Sequence, residues 1–221
     1  IAKVPEYLSD EEAACVPLTA PTALQAFELM HPKAGETVFI SGGTGSLGAM
    51  AIPVAKSFGL TVITNGNGAS EERVRKLGAD RFINYKKEDY TKVLSDVDYV
   101  LDTLGDRELA KEFAILKKGG SLVSLRGLPN GEFATRSGMS FIKRMMFKIA
   151  GGKYDKMAAA NNQKYLFIFV HEDGAGLEKI SEIFMDSHIE ASVDEVFDLD
   201  DVNKALKKVA SGGSRGKTVL Q

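Results

Sequence analysis

Closely spaced glycines in the segment 37–48 are the residues of this chain best suited to binding chemistry. Gly43, Gly45 and Gly48 fit the pattern G-x-G-x-x-G, and Gly42 directly precedes them. Glycine allows φ > 0 and leaves no Cβ between a turn and a pyrophosphate, while the N–H groups that open a following helix attract the anion. The spacing predicts a dinucleotide-binding turn. A glycine-rich structural turn without a ligand is the alternative.

The elements predicted around this turn are those that a dinucleotide site needs. An apolar strand starts at Thr37, and a mainly apolar helix follows the turn as far as Phe58. Short strands that are apolar on both faces then alternate with helices, which predicts an α/β fold with a doubly wound parallel sheet of the Rossmann type. The later strands are predicted at residues 61–64, 81–84, 97–102, 120–125 and 164–170. A C-terminal return follows, with a strand at 193–199, a helix at 200–210, a flexible turn at 211–216 and a strand at 217–220.

Two stretches break this alternation. Near the N-terminus, Pro17 and Pro21 are expected to separate two short helices, at about residues 9–16 and 21–31, because proline disrupts helix interiors. Residues 129–162 contain a Met- and Lys-rich stretch, which predicts either a plastic apolar wall over a substrate or partner, or a helix packed on the core with a basic outer face. A membrane-surface role for the same stretch is the least favoured alternative.

The composition excludes several functional classes. Lysine and arginine number 28 against 30 acidic residues, and this net charge of −2 favours neither nucleic acid nor a membrane as a partner. Cys15 is the only cysteine, so an internal disulfide is impossible and a cytoplasmic location is expected. No apolar run reaches the length of a transmembrane helix. The chain starts at Ile1 rather than at methionine, which predicts that the N-terminal part of a longer protein is absent.

Six strings of residues resemble the medium-chain dehydrogenase/reductase superfamily, in its zinc-independent quinone and enone reductase branch. Their order and spacing match that family over essentially all 221 residues, and six matches in register are specific where one alone would be weak. The strings are LSDEEAA from Leu8, PLTAPTAL from Pro17, SGGTGSLG from Ser41, LGAD from Leu77 with INY from Ile83, DTLG from Asp102, and GKTV from Gly216.

The resemblance implies a domain organisation. Residues 1–20 would be a lead-in from a missing N-terminal barrel-like domain, residues 21–190 the dinucleotide-binding Rossmann domain, and residues 191–221 the C-terminal return. The substrate cleft would lie between the missing domain and this one, so the chain alone is expected to bind cofactor and to turn over poorly. The same likeness implies a homodimer, joined through the strand at residues 164–170.

The resemblance also implies which residues contact the cofactor. The N–H groups of Gly45, Ser46 and Leu47 would meet the pyrophosphate, with Gly42 and Gly48 completing the turn. Thr22 would lie beside the nicotinamide ribose or ring. The residues at the end of the fourth strand would be Leu104 and Gly105, and those at the end of the fifth Leu125, Arg126 and Gly127. The residues beside the carboxamide would be Phe167, Phe169 and Val170.

The end of the second predicted strand favours NADPH over NADH. Sites for NAD usually place Asp or Glu there, about 20 residues beyond the glycines, to hold the ribose 2′-hydroxyl. Here Thr64 and Asn65 occupy this position, and without a carboxylate a 2′-phosphate can fit. Relatives hold that phosphate with a basic residue on the following helix and with a tyrosine, which implies Arg73 and Tyr85. A solvated surface charge and a half-buried aromatic side chain are the respective alternatives.

The predicted function is hydride transfer from NADPH to a small-molecule quinone or α,β-unsaturated carbonyl, without zinc. A catalytic zinc needs three converging protein ligands, and Cys15, His31, His171 and His188 show no metal-like spacing. The cofactor would carry the chemistry, and no acid–base residue is assigned. A zinc-type alcohol dehydrogenase and a non-catalytic NADPH-binding sensor or scaffold are the two alternatives.

Overall fold

A six-stranded parallel sheet forms the centre of the computed structural model, which describes residues 1–212 and 216–221. The strand order is β3-β2-β1-β4-β5-β6, and every neighbouring pair is parallel. The strands are β1 (Thr37–Ile40), β2 (Thr61–Gly66), β3 (Arg81–Asn84), β4 (Val97–Asp102), β5 (Leu116–Ser124) and β6 (Lys164–Phe167). This arrangement confirms the predicted doubly wound α/β fold.

Helices cover both faces of the sheet. Their bounds are α1 (Asp10–Ala14), α2 (Val16–Met30), α3 (Ser46–Ser57), α4 (Glu71–Lys76), α5 (Asp106–Ile115), α6 (Gly131–Arg136), α7 (Phe141–Ala150), α8 (Gly152–Ala159) and α9 (Gly174–Ser187). Successive residues of β1 serve opposite faces: Val38 and Ile40 join the core cluster formed with α2, α3 and α9, whereas Phe39 joins the cluster formed with α5 and α8. None of the helices in the described residues combines the length and apolar character needed to cross a membrane.

The C-terminal residues form the expected strand, helix and strand. These are β7 (Val193–Phe197), α10 (Val202–Ser211) and β8 (Lys217–Leu220), and the two strands pair in parallel as a separate two-stranded sheet. The turn predicted at residues 211–216 includes residues 213–215, which lie outside the described part of the chain.

Two helices form in the N-terminal region as predicted, α1 and α2, but the prediction that the second would begin at about residue 21 was wrong. Helix α2 runs unbroken through both prolines. Pro17 lies in the first turn, where the backbone N–H has no partner within the helix, and Pro21 removes only one hydrogen bond from a helix whose Leu24 and Phe27 are fully buried. Burial of these apolar side chains therefore outweighs the low helix propensity of proline. The predicted domain boundary after residue 20 falls inside this helix.

Other boundaries also differ from the sequence expectations. Strand β5 begins at Leu116, earlier than predicted, and β6 ends at Phe167, so the segment 168–170 has left the sheet. Among the described residues, strand β6 is an edge strand next to β5, and the Ile168 N–H still reaches the carbonyl oxygen of Ser124 at 3.3 Å. The irregular stretch at residues 129–162 contains the three short helices α6, α7 and α8.

Candidate cofactor site

The glycine-rich turn after β1 is shaped by close packing against β2 and α3. A Cβ on Gly43 would lie 1.9 Å from Oγ1 of Thr64, and a Cβ on Gly48 would lie 2.4 Å from the carbonyl oxygen of Gly42. Gly42 itself has φ +71°, a conformation that side chains disfavour. The fold alone therefore requires glycine at these three positions.

Gly45 is less crowded than Gly43 and Gly48. The nearest atom to a Cβ at this position would be the Gly42 carbonyl oxygen, at 3.3 Å. Gly45 is also the N-cap of α3, and the helical ladder starts with the bond from the Ala49 N–H to the Gly45 carbonyl oxygen at 2.9 Å. The N–H groups of Ser46 and Leu47 precede that bond and point out of the helix end. Backbone donors at a helix N-terminus that borders a cleft fit a pyrophosphate.

Thr64 and Asn65, at the end of β2, hold this turn in place from behind. The Thr64 hydroxyl donates to the Ile40 carbonyl oxygen at 2.7 Å, and Oδ1 of Asn65 accepts from the Gly42 N–H at 2.7 Å. Both side chains are buried. Asn65 borders the cleft described next, whereas Thr64 packs beneath the turn.

An open cleft of about 1000 Å³ lies in front of the turn, at the carboxyl ends of β1 to β4. This is the edge where the strand order reverses between β1 and β4, the place where parallel α/β sheets bind ligands. The cleft brings together eight of the residues expected from the sequence. They are Gly42, Gly45, Ser46, Leu47, Gly48, Asn65, Tyr85 and Leu104.

The cleft also contains residues that the sequence analysis missed. Lys86 and Lys87 directly follow Tyr85 beyond the end of β3, and Thr44 and Thr103 border the turn itself. The signal for the lysines was their position, since side chains just after parallel strands collect at one edge of the sheet. Lys86, Lys87 and Lys111 thus place basic groups at this end of the cleft, where Glu88, Asp89 and Glu108 also line it.

Arg73 lies on the other side of the turn. Its Nη2 donates to the Thr44 carbonyl oxygen at 2.6 Å, and its Nη1 donates to the Ser192 hydroxyl at 3.0 Å. The side chain thus joins the glycine-rich turn to the residue preceding β7. Its predicted contact with a 2′-phosphate stays a prediction.

Asp102, at the end of β4, organises the loops beyond two neighbouring strands. Its Oδ1 accepts from the N–H groups of Leu104 and Gly105, at 2.8 and 2.7 Å, and its Oδ2 accepts from the Ser124 hydroxyl at 2.6 Å. The Ser124 oxygen in turn accepts from the N–H of Gly127 at 2.7 Å. This buried network positions the loops that carry the predicted contacts after β4 and β5. A Cβ on Gly105 would lie 3.1 Å from Cβ of Arg126, so those loops touch.

Glu112 of α5 lies buried close to this network. Burial raises the pKa of its carboxyl group well above the usual range, and the negative charge of Asp102 raises it further. The Ser41 hydroxyl is close enough to lower that pKa somewhat, yet neither side chain makes a hydrogen bond of ordinary geometry with the described residues. Burial among these groups therefore favours the protonated form of Glu112.

The remaining predicted contacts lie outside the cleft. Thr22 is buried on α2, and its hydroxyl donates to the Leu18 carbonyl oxygen. Phe167 packs edge-on against Phe133 at 5.1 Å, whereas Phe169 is 77% exposed. Leu125 is half-buried in the core, and Arg126, Gly127 and Val170 lie on the segments that follow β5 and β6.

Gln25, which the sequence analysis did not single out, fixes the segment after β6. Its Nε2 donates to the His171 carbonyl oxygen at 2.9 Å, and its Oε1 accepts from the His171 N–H at 3.2 Å. This pair of bonds holds the segment that carries Phe169 and Val170 against α2, the helix that carries Thr22. The predicted nicotinamide contacts are thus fixed to one another by the fold.

The donors in the described residues do not fit a zinc ion. No three His, Cys, Asp or Glu side chains of residues 1–212 and 216–221 are grouped in a way that could hold a metal. The Cys15 thiol donates to the Glu11 carbonyl oxygen, and burial raises its pKa. His31 and His188 end α2 and α9 in the left-handed conformation. That the protein works without zinc stays a prediction.

Comparison with known proteins identifies the family. A family described as zinc-binding dehydrogenase matches residues 77–220. The chain belongs to the medium-chain dehydrogenase/reductase family. This membership confirms the resemblance inferred from the six strings. The zinc in the family's description has no matching ligand group in the described part of this member.

Individual members of the family share up to about a third of the residues compared. The 2-methylene-furan-3-one reductase of Solanum lycopersicum is 32% identical over 158 residues, which cover 69% of this chain and 40% of that protein. The mitochondrial NAD(P)H oxidoreductase RTN4IP1 of Danio rerio is 30% identical over 230 residues, covering 100% of this chain and 59% of that protein. The chain therefore spans 40% to 59% of the length of these two relatives.

Solved structures of the family show the same fold. The quinone oxidoreductase from Coxiella burnetii superposes with a TM-score of 0.81 at 26% identity, covering 99% of this chain and 62% of that one. The quinone oxidoreductase from Thermus thermophilus, solved also with NADPH, has a TM-score of 0.73 at 24% identity, covering 99% of this chain and 68% of that one. At 24% identity, the second likeness shows the fold alone.

Proposed function

We propose that this chain is the nicotinamide-cofactor part of an oxidoreductase that transfers hydride from NADPH to a quinone or an α,β-unsaturated carbonyl. The observation that carries the proposal is the N-terminus of α3, where Gly45, Ser46 and Leu47 border an open cleft at the point where the strand order reverses. The names of relatives support it, since they include an NAD(P)H oxidoreductase, a furanone reductase and a quinone oxidoreductase.

NADPH, when bound, supplies the hydride, and the residues of this chain bind and orient it. The N–H groups of Ser46 and Leu47 would hold the pyrophosphate. The Asp102–Ser124 network would keep the loops after β4 and β5 in position along the cofactor. The Gln25–His171 pair would keep the segment after β6 beside α2, where the nicotinamide is expected.

The preference for NADPH is proposed to come from the end of the cleft near β3. No carboxylate stands at the end of β2, where Thr64 and Asn65 are occupied in supporting the turn. Tyr85, Lys86 and Lys87 line the cleft and would hold the 2′-phosphate. Charged groups there would distinguish NADPH from NADH.

Zinc is not part of this proposal, because the described residues offer no ligand group for it. Metal analysis of the purified full-length protein tests this point, and stoichiometric bound zinc would favour a zinc-type alcohol dehydrogenase. The homodimer through β6 and the cytoplasmic location also stay predictions.

Calorimetric titration of the 221-residue chain with NADPH and NADH tests the cofactor site. We expect saturable binding with NADPH preferred, and absence of binding to either cofactor would refute the proposal. Turnover is then tested in the full-length protein, by following NADPH oxidation with a small quinone and with an enone. Saturable binding without any turnover would favour the sensor or scaffold.

A further inference from the structure

The outer face of α7 is the largest run of exposed apolar side chains on one element. Phe141, Ile142 and Ile149 are 76%, 72% and 78% exposed, and Met145 and Met146 are exposed with them. Not one residue of this helix is buried. Monomeric soluble proteins rarely expose such a stripe to water, which indicates that this face of α7 binds a partner.

The geometry of α7 directs this stripe away from the protein. Phe147 is the half-buried member of the helix, and its ring packs edge-on against Phe133 of α6 with 6.2 Å between centroids. At about 100° per residue, the five apolar side chains spread over one face that lies roughly opposite Phe147. One side of the helix therefore rests on the protein, and the apolar side faces outward.

Basic residues flank the apolar stripe. Lys143, Arg144 and Lys148 lie on the remaining sides of α7, and the helix contains no acidic residue. From 139 to 156 the chain has five basic side chains and one acidic one, although its net charge is −2. Lys153 of this group is paired with Asp106, and Glu132 and Asp155 line a pocket together with Arg144 and Lys148. Positive charge is thus concentrated around this face, and a negatively charged partner is favoured.

These features match an anionic lipid surface. An amphipathic helix with aromatic and aliphatic residues on one face and lysine or arginine beside them lies in the interface of a bilayer, with the cations at the headgroups. A second copy of this chain fits less well, because a two-fold contact through this face would bring Lys143, Arg144 and Lys148 of both copies together. An apolar protein surface would offer no acceptor to Lys143 or Lys148, whereas Arg144 already donates to the Met139 carbonyl oxygen at 2.8 Å.

We propose that α7 is a peripheral membrane-binding helix that docks this protein on anionic lipid bilayers. Phe141, Ile142, Met146 and Ile149 enter the interface, and Lys143 and Lys148 contact the headgroups. The proposal is independent of the hydride-transfer function. It replaces the expectation, drawn from the overall net charge, that no membrane is a partner, because that charge is unevenly distributed.

Co-sedimentation with vesicles tests the proposal on the full 221-residue chain. Wild type should pellet with phosphatidylcholine vesicles that contain phosphatidylserine, should bind pure phosphatidylcholine vesicles weakly, and should be released by salt. The variant I142Q/I149Q should lower the partition coefficient at least about tenfold, since each isoleucine loses its apolar transfer energy. The variant K143E/K148E should lose the preference for phosphatidylserine.

The matched control is L206Q/V209Q on α10, where both side chains are also more than half exposed. This control should bind vesicles as wild type does. Wild type remaining in the supernatant with phosphatidylserine vesicles would overturn the proposal, as would equal binding by wild type and both α7 variants. Concentration-dependent self-association that I142Q/I149Q abolishes, without vesicle binding, would assign the face to a protein contact instead.

Discussion

The buried carboxylate of Asp102 accepts a hydrogen bond from the Ser124 hydroxyl at 2.6 Å, and this contact ties the end of β4 to the end of β5. The Asp102 carboxylate also accepts hydrogen bonds from the N–H groups of Leu104 and Gly105. The Ser124 hydroxyl oxygen accepts one from the N–H group of Gly127. Two loops of the candidate site thus depend on one hydroxyl–carboxylate pair.

Ser124→Ala should destabilise the protein by about 1–3 kcal/mol, because a buried carboxylate loses a donor and the Gly127 N–H loses its acceptor. Denaturant unfolding measures this loss, and calorimetry should show weaker NADPH binding. Ser121→Ala is the matched control, since Ser121 is a buried serine on the same strand outside this network. An equal loss of unfolding free energy in the two variants would show that the Asp102–Ser124 network does not stabilise the protein more than an ordinary buried serine does.

Gly45→Ala and Gly48→Ala should separate the needs of the ligand from those of the fold. At Gly45 the new Cβ would meet the Gly42 carbonyl oxygen at 3.3 Å, so this variant should lose less stability than Gly48→Ala while NADPH affinity falls at least about tenfold. At Gly48 the Cβ would lie 2.4 Å from the Gly42 carbonyl oxygen, so the variant should unfold at lower denaturant concentration. If Gly45→Ala binds NADPH as wild type does, the turn does not hold the pyrophosphate.

The sequence predicted the order of the elements because local signals specify it. Apolar strands that alternate with helices bury their apolar faces in a parallel, doubly wound sheet. The glycine spacing indicates at which edge of that sheet a ligand binds. The error at α2 has a tertiary cause. Proline was weighed by its local effect, whereas burial of Leu24 and Phe27 decides the helix.

The candidate site was predicted less completely, because partners distant along the chain direct its side chains. The family resemblance implies a contact between Arg73 and a 2′-phosphate, but no local pattern signals that its guanidinium also meets Ser192, which lies 119 residues away. Gln25 pairs with His171 across 146 residues, and no local pattern signals that pair. Lys86 and Lys87 are recognisable only after β3 is placed beside β2 in the sheet.

Lys86→Ala combined with Lys87→Ala should raise the Kd for NADPH about tenfold and leave the Kd for NADH nearly unchanged, because NADPH alone carries the 2′-phosphate. Lys118→Ala, at an exposed position of β5, is the control and should change neither affinity. Calorimetry with the two cofactors measures each affinity.

Arg73→Ala should weaken NADPH and NADH binding by similar factors, because it removes the support of the Thr44 carbonyl oxygen within the turn. Parallel calorimetric titrations measure how far the Kd for NADPH and the Kd for NADH each rise. A loss confined to NADPH would instead support the sequence-based assignment of Arg73 to the 2′-phosphate.

Glu112→Gln should flatten the dependence of stability on pH. The pKa of Glu112 is raised in the folded protein above its ordinary value of 4.5, so its stabilising contribution is complete below pH 4.5 and is lost as the pH rises through the folded pKa. Within that window wild type should lose about 1.4 kcal/mol of unfolding free energy per pH unit from this group. Glutamine cannot ionise, so the variant should gain stability relative to wild type as the pH rises.

Denaturant unfolding at several pH values measures the stability of wild type and of Glu112→Gln, with the exposed Glu182→Gln as control. Parallel curves for wild type and Glu112→Gln would mean that the buried carboxyl group ionises without cost, contrary to its placement beside Asp102.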